Sequence, residues 1–133
     1  LRLHELTTRD RYRDRAERAL RAYAGKLEAA PLALSEMLLA VDFQLDTAKQ
    51  IVIVTPGGRA PADPLLARLR RAFVPNRVLV VAGVGAEGPL VEGKTALAGR
   101  ATAYVCEKQV CELPTADPEV FARQLRKTRP LGR

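Results

Sequence analysis

The stretch Lys49–Gly83, KQIVIVTPGGRAPADPLLARLRRAFVPNRVLVVAG, decides the fold. Its first seven residues, KQIVIVT, form a short β-branched run suited to a buried strand. PGGRAPAD is loop chemistry. DPLLARLRRAF predicts a helix with Asp63 as N-cap and Pro64 at the first helical position. Leu65, Leu66, Leu69 and Phe73 would form its inner face. NRVLVVAG reads as a second buried strand. Strand, helix and strand at these lengths imply a right-handed βαβ unit with two parallel strands.

Working toward the C-terminus, VGAEGPLVEGKTALAGRA is a Gly-rich connector. TAYVCEKQVCEL predicts two short strands around a tight turn at Lys108 and Gln109. TADPEVFARQLRK predicts a last helix, capped by Thr115 or Asp117 and opened by Pro118. Val120, Phe121 and Leu125 would point inward. Toward the N-terminus the period is helical. Thr8 is a candidate N-cap, and Tyr12, Ala16, Ala19, Leu20, Tyr23 and Leu27 fall on one stripe. Pro31 breaks that helix, and a second follows over roughly Leu32 to Asp46. The second is apolar on several sides: Leu34, Met37, Leu38 and Val41, with Leu39 and Phe43 elsewhere. Such a helix needs cover from more than one direction, so part of its partner is expected outside this chain.

The expected fold is α/β (α+β). A helical hairpin over 1–48 precedes a small α/β domain over 49–133, ordered β-α-β-β-β-α around a four-stranded mixed sheet. No repeat is visible. The chain does not begin with Met and opens as though entering a helix already under way, which reads as a fragment or a processed chain.

Composition narrows the function classes. With 133 residues, 47% hydrophobic and 28% charged, the chain is in the globular range. No apolar run approaches the ~20 residues that span a bilayer, so no membrane partner is expected. No export signal is visible, which makes the cytoplasm the default location. The net charge is +7, but in RDRYRDRAER the bases alternate with acids, as on a solvated helix face with local ion pairs. The clearest uncompensated cluster is the tail RQLRKTRPLGR. Three Tyr, three Phe and no Trp supply a base-stacking platform poorly. Nucleic acid is therefore the weaker partner class.

The chemistry-bearing residues are few. Cys106 and Cys111 are the two cysteines, five positions apart. With a two-residue turn, Glu107 faces Val110 and Cys106 faces Cys111 as a non-hydrogen-bonded pair, with Cβ atoms about 4.5–5.5 Å apart. That is near the geometry of a cross-strand disulfide. Two packed thiols on the sheet face of Tyr104 and Leu113 satisfy the same spacing, and small apolar side chains are the commoner occupants there. The alternatives stay open, with packed thiols preferred. A structural zinc would need two more ligands, and His4 is the only histidine. A thioredoxin-type pair needs Cys-x-x-Cys at a helix N-terminus. VTPGGRAPADP lacks the spacing of a phosphate loop, and EGKT at Glu92–Thr95, though it looks like the end of one, has no helix pattern after it. Asp42 and Asp46, and Glu107 and Glu112, read as solvated charge. No catalytic, cofactor-binding or metal-ligating residue is expected, and no cofactor.

Several stretches in order carry a family resemblance: RYRDRAERALRAYAGKLEAAPLALSEMLLAVDFQL, KQIVIV, LLARLRRAFVPNRVLVV and, most specifically, EGKTALAGRATAYVCEKQVCELPTADPE at Glu92–Glu119. Together they resemble the C-terminal region of the spermatogenesis-associated protein 20 family, whose bacterial members are called thioredoxin-domain proteins. The resemblance implies a longer parent with an N-terminal thioredoxin-like domain, an α/α toroid similar to six-hairpin glycosidases and sugar epimerases, and a terminal α/β segment. Residues 1–48 would then be the last hairpin of the toroid. It carries no catalytic residue onto this chain, and Cys106 and Cys111 match the terminal pattern without a role attached.

The expected function is a non-catalytic structural or accessory domain whose partner is the rest of the parent chain, toroid and thioredoxin-like domain together. Taken alone, the chain is expected to expose Leu34, Leu38, Val41 and Leu45 and to form homo-oligomers through them. Two competing readings are a contribution to a carbohydrate-active or thiol-redox site of the full-length protein, and a basic nucleic-acid-binding module.

Overall fold

A computed structural model describes residues 1–108 and 110–127. Gln109 and residues 128–133, where half of the expected turn and the end of the basic tail fall, lie outside the described residues. Helices α1 (Arg2–Thr7), α2 (Asp10–Ala29) and α3 (Ser35–Leu45) come first. Strand β1 (Lys49–Thr55), helix α4 (Asp63–Arg71), strands β2 (Arg77–Gly83), β3 (Thr102–Glu107) and β4 (Val110–Cys111), and helix α5 (Pro118–Arg126) complete the order.

The sheet has the order β2-β1-β3-β4. β1 runs parallel to β2, and β3 is antiparallel to both β1 and β4. The βαβ unit and the mixed sheet expected from KQIVIVT and NRVLVVAG are therefore present. Strand alternation sorts the core into two layers. Ile51 and Ile53 point to one face, where Leu65, Leu66 and Leu69 of α4 and Phe121 and Leu125 of α5 cover them. Val52 and Val54 point to the other, beneath Leu90 and Val91 of the Gly-rich connector, with Tyr104, Cys106 and Leu6 of α1. The Tyr104 hydroxyl pins that connector, donating to the Thr95 carbonyl at 2.9 Å and accepting its N–H at 3.1 Å.

Helix ends follow local chemistry. Asp117 caps α5 as expected, its Oδ1 accepting the N–H groups of Glu119 at 2.7 Å and Val120 at 3.3 Å. Asp63 does not cap α4. A 3-10 turn over Ala60–Ala62 leads straight into the helix, so Asp63 is its first residue and its side chain caps nothing. Thr8 is not the N-cap of the long helix either. With φ 56 it ends α1 in a left-handed conformation, and α2 starts afresh after Arg9. A 3-10 turn over Pro31–Leu34 precedes α3, which shortens the second predicted helix.

Phe73 is another correction. It is 93% exposed rather than on the inner face. α4 ends at Arg71, Ala72 is extended, and Val74 takes the core position beside α4. Pro75 favours extended backbone at Val74, which turns Phe73 outward.

α2 and α3 are covered least. No residue of α2 is buried, and α3 buries only Phe43. On α2, Tyr12, Ala16, Leu20 and Leu27 are half-buried, while Ala19 and Tyr23 are exposed. Its charges pair locally, Arg13 with Asp10 at 3.0 Å and Arg21 with Glu17 at 3.5 Å, as the alternating sequence requires. On α3, Leu38, Leu39 and Leu45 are exposed, as is Leu32 before it, while Leu34 and Val41 are half-buried. Three polar joints tie this helical part to the sheet, one of them the Gln50 carboxamide of β1 donating to Glu5 of α1 at 2.9 Å. Asn76 donates through Nδ2 to Asp42 at 2.8 Å and to Asp46 at 2.9 Å. Arg2 donates to the carbonyls of Arg77 and Pro75 and lies over the Phe43 ring.

Candidate functional site: the bridged hairpin

β3 and β4 build the site. Lys108 starts the turn in the left-handed region at φ 48, as a two-residue hairpin turn of the primed type requires. Glu107 then pairs with Val110, and Cys106 with Cys111. The Glu112 N–H donates to the Val105 carbonyl at 2.9 Å, so the cysteine pair between these two is a non-hydrogen-bonded one. Its Cα atoms approach to 3.9 Å, and a disulfide joins the sulfurs.

The preferred reading of two packed thiols is therefore replaced by a bridge. Only half of the pair behaves as core. Cys106 is 3% exposed beside Tyr104, whereas Cys111 is exposed on the edge strand. Leu113, expected on the same face, is 85% exposed, because β4 stops at Cys111 and the chain leaves the sheet.

A polar cluster lies beside the bridge, around a cavity of about 420 Å³. Lys49 of β1 is 8% exposed, and its ammonium pairs with Glu107. It also donates to the Lys127 carbonyl at 2.7 Å. Lys127 in turn donates from Nζ to both oxygens of Glu112, at 2.9 and 2.7 Å. Gln124 of α5 donates to the Leu113 carbonyl at 2.7 Å, and its buried Oε1 has no partner among the described residues. The cluster thus holds two lysines and two glutamates in mutual pairs. Glu107 and Glu112, read as solvated charges, instead fasten the hairpin to β1 and to the end of α5. Lys49 was hidden in sequence because a lysine opening a β-branched run looks like an edge residue. Its burial comes from Glu107 and Lys127, which are 58 and 78 positions away.

The opposite side of the hairpin opens on a second cavity of about 660 Å³, lined by Cys106, Cys111, His4, Arg13, Lys94 and Lys108 among others. Arg13 is engaged by Asp10. Lys94 lies 5.8 Å above the Tyr104 ring, and neither Lys94 nor Lys108 has a carboxylate partner among the described residues.

The remaining sequence candidates make no further site. Asp42 and Asp46 both accept from Asn76. In the first loop the Thr55 hydroxyl donates to the Gly58 carbonyl at 2.7 Å. EGKT runs into turns and a 3-10 turn over Leu97–Gly99 rather than a helix. Among the described residues no cluster of three or more His, Cys, Asp and Glu could hold a metal ion, and no helix is long and apolar enough to cross a membrane.

No protein-family model matches this chain, and no solved structure does. Known proteins do. Spermatogenesis-associated protein 20 of Homo sapiens is 33% identical over 124 residues, covering 89% of this chain and 16% of the relative. The proteins of the same name from Rattus norvegicus and Mus musculus are each 32% identical over 124 residues, with the same coverage. The chain thus spans about a sixth of the length of the relatives it matches. The resemblance carried by the segment around the bridged hairpin is borne out: the chain is a relative, over nearly all of its own length, of the spermatogenesis-associated protein 20 family.

Proposed function

We propose that the chain is a non-catalytic accessory segment of a longer protein, packing the open side of α2 and α3 against the rest of that protein. One observation carries this reading: α3 is apolar on several sides and buries only Phe43. Leu39 is 63% exposed, and it lies with Leu20 and Met37 in a groove of about 550 Å³. An apolar face of that kind marks an interaction surface. The relatives are about six times longer than the matched region, so chain to cover it is available in proteins of this family. In the finer form of the proposal, α2 and α3 are the last hairpin of an α/α toroid, and a thioredoxin-like domain lies elsewhere in the parent. The βαβ unit and α5 form the cap that anchors this hairpin through Asn76 and Arg2.

The test is Leu39→Glu, placed both in the isolated chain and in a full-length parent. In the isolated chain Leu39 already meets water, so unfolding should shift by less than ~0.5 kcal/mol. In the parent it should cost about 2 kcal/mol or more, the transfer free energy of a buried leucine with a charge placed at the interface. Equal, negligible shifts in both would overturn the proposal.

A further inference from the structure

The bridge itself offers a reaction that an accessory role does not require. We propose that Cys106–Cys111 is a thiol–disulfide exchange site for small thiols that carry a carboxylate, attacked at Cys111 and guided by Lys94 and Lys108.

Three observations converge on it. The two sulfurs differ in access, since Cys106 is buried and Cys111 is exposed on a two-residue edge strand. Attack rates depend on which sulfur a thiolate can reach, so access selects Cys111. Both cysteines line the 660 Å³ cavity, which is large enough for a small thiol beside the bridge. Of the acids of that cavity, Asp10 pairs with Arg13 at 3.0 Å, and Glu5, which accepts from the neutral Gln50 amide at 2.9 Å, keeps its charge but is outnumbered by Lys94 and Lys108. Lys94 and Lys108 are left as the ammonium groups without a carboxylate partner among the described residues, lining the same cavity as the two sulfurs. A nearby lysine stabilises a leaving thiolate, and a second negative charge on the attacking thiol gains from the same field.

The step balances with two equivalents of the thiol. The first thiolate attacks the Cys111 sulfur and the Cys106–Cys111 bond breaks. The electron pair departs on Cys106, which takes a proton from water, leaving a mixed disulfide on Cys111. A second thiolate attacks the outer sulfur of that mixed disulfide and releases Cys111, which is protonated in turn. Two thiols are oxidised to one small disulfide, and the protein disulfide is reduced to two thiols.

The fold tolerates this cycle. Of the two cysteines only Cys106 belongs to the core, and it stays between β1 and the connector whether or not it is bridged. The chain after β4 keeps separate anchors, the Glu112–Lys127 pair and the Gln124 bond to the Leu113 carbonyl.

The experiment uses the air-oxidised chain and three probes, 3-mercaptopropionate, 2-mercaptoethanol and cysteamine. Reduction is quenched with acid, trapped by alkylation and read by intact mass. Each rate is expressed per thiolate and divided by its rate on bis(2-hydroxyethyl) disulfide, which removes intrinsic nucleophilicity. At low ionic strength 3-mercaptopropionate should lead 2-mercaptoethanol by about fivefold, the scale of two partly screened charges at several ångströms. Cysteamine should come last. In 0.5 M NaCl the spread should collapse, and in Lys94→Gln/Lys108→Asn it should vanish. Asn is chosen at 108 because it tolerates the left-handed backbone there. The salt arm uses the unaltered chain, so it stands even if the variant folds poorly. Equal normalised rates for the three probes, a preference unchanged by salt, or two freely alkylated cysteines in the air-oxidised chain would each overturn the proposal.

Discussion

Replacing Asn76 by Asp probes the joint on which the accessory reading depends. Asn76 is buried, and its carboxamide donates to two carboxylates, Asp42 at 2.8 Å and Asp46 at 2.9 Å. Its backbone carbonyl also accepts the Lys49 N–H at 2.9 Å, so the residue ties the end of α3 to the start of β1. Asn76→Asp keeps shape and volume but turns both donor contacts into repulsions. Hydrogen bonds to charged groups are worth about 1.5–3 kcal/mol each. Asp42 and Asp46 are themselves exposed, and water recovers part of that, leaving about 2 kcal/mol for the two. Repulsion adds to this, up to the roughly 4 kcal/mol that protonating an ordinary carboxyl costs at pH 7. A total loss of about 3–5 kcal/mol is expected at pH 7.5, against about 2 kcal/mol for Asn76→Ala. The sign of the pH dependence separates the two variants. The introduced carboxyl has a higher proton affinity in the folded chain, facing two carboxylates, than in the unfolded chain. Folding of the variant therefore takes up protons, and its deficit shrinks as pH falls. Urea unfolding followed by circular dichroism at pH 7.5 and 5.5 reads this directly, which suits a chain with no Trp. An Asp variant within ~0.5 kcal/mol of the parent at pH 7.5, or a deficit equal to that of Ala at both pH values, would refute the reasoning.

Glu107→Leu should cost about 3–5 kcal/mol, because it leaves the buried Lys49 ammonium with the Lys127 carbonyl as its partner among the described residues. The double change Glu107→Leu/Lys49→Met should recover most of that loss in the same urea titration. A double variant no more stable than the single one would show that the pair is not what holds the site. The N–H groups of Glu119 and then Val120 hold the Asp117 carboxyl below its ordinary value of 3.8. Its folded pKa is depressed, so its contribution is full above the unfolded value and is lost as pH falls through the folded one. Asp117→Asn keeps an accepting oxygen without the charge. The stability difference between the two chains should be flat above about pH 5 and shrink below about pH 4 in acid titrations, and a difference constant down to pH 2 would contradict the cap assignment.

Much of the fold was legible because it rests on local signals. KQIVIVT and NRVLVVAG specify strands by β-branching, and the short crossover between them fixes their parallel pairing. TADPE specifies the start of α5 through a side chain two residues from the amide it accepts. Signals failed where a local preference competed with packing. Phe73 fits the helical stripe of α4, but the core position goes to Val74 once the helix stops at Arg71. Thr8 has good capping chemistry, yet it serves a left-handed turn between two helices. The candidate site was half legible. Pairing of Cys106 with Cys111 follows from the turn length, but two packed thiols fit the same register, and nothing local chooses between them. Lys49, Gln124 and Lys127 were not legible at all, since their roles arise from contacts across the sheet and with α5.

The location of the bridge explains why chemistry there is compatible with a structural role. A strand of two residues cannot hold itself on a sheet edge. β4 stays because the disulfide, Glu112 and the Leu113 carbonyl fasten it to β3 and α5. Such a short edge also offers little template for unwanted pairing. The layers that stabilise the domain, α4 and α5 on one face and the connector on the other, meet at β1, whose ladders to β2 and β3 do not involve β4. Opening the bridge therefore removes one fastening from a peripheral strand that keeps its ladder to β3 and its two ties to the end of α5, and leaves Cys106 packed in its layer. The reverse holds for Asn76, which lies where α3 meets the sheet, so damage there loosens the apolar helices from their anchor while the hairpin remains intact. The two perturbations should consequently be separable: Asn76→Asp should change stability and leave the reduction kinetics of the bridge unaltered, and reduction should cost no more than the roughly 2 kcal/mol that so short a closed loop supplies.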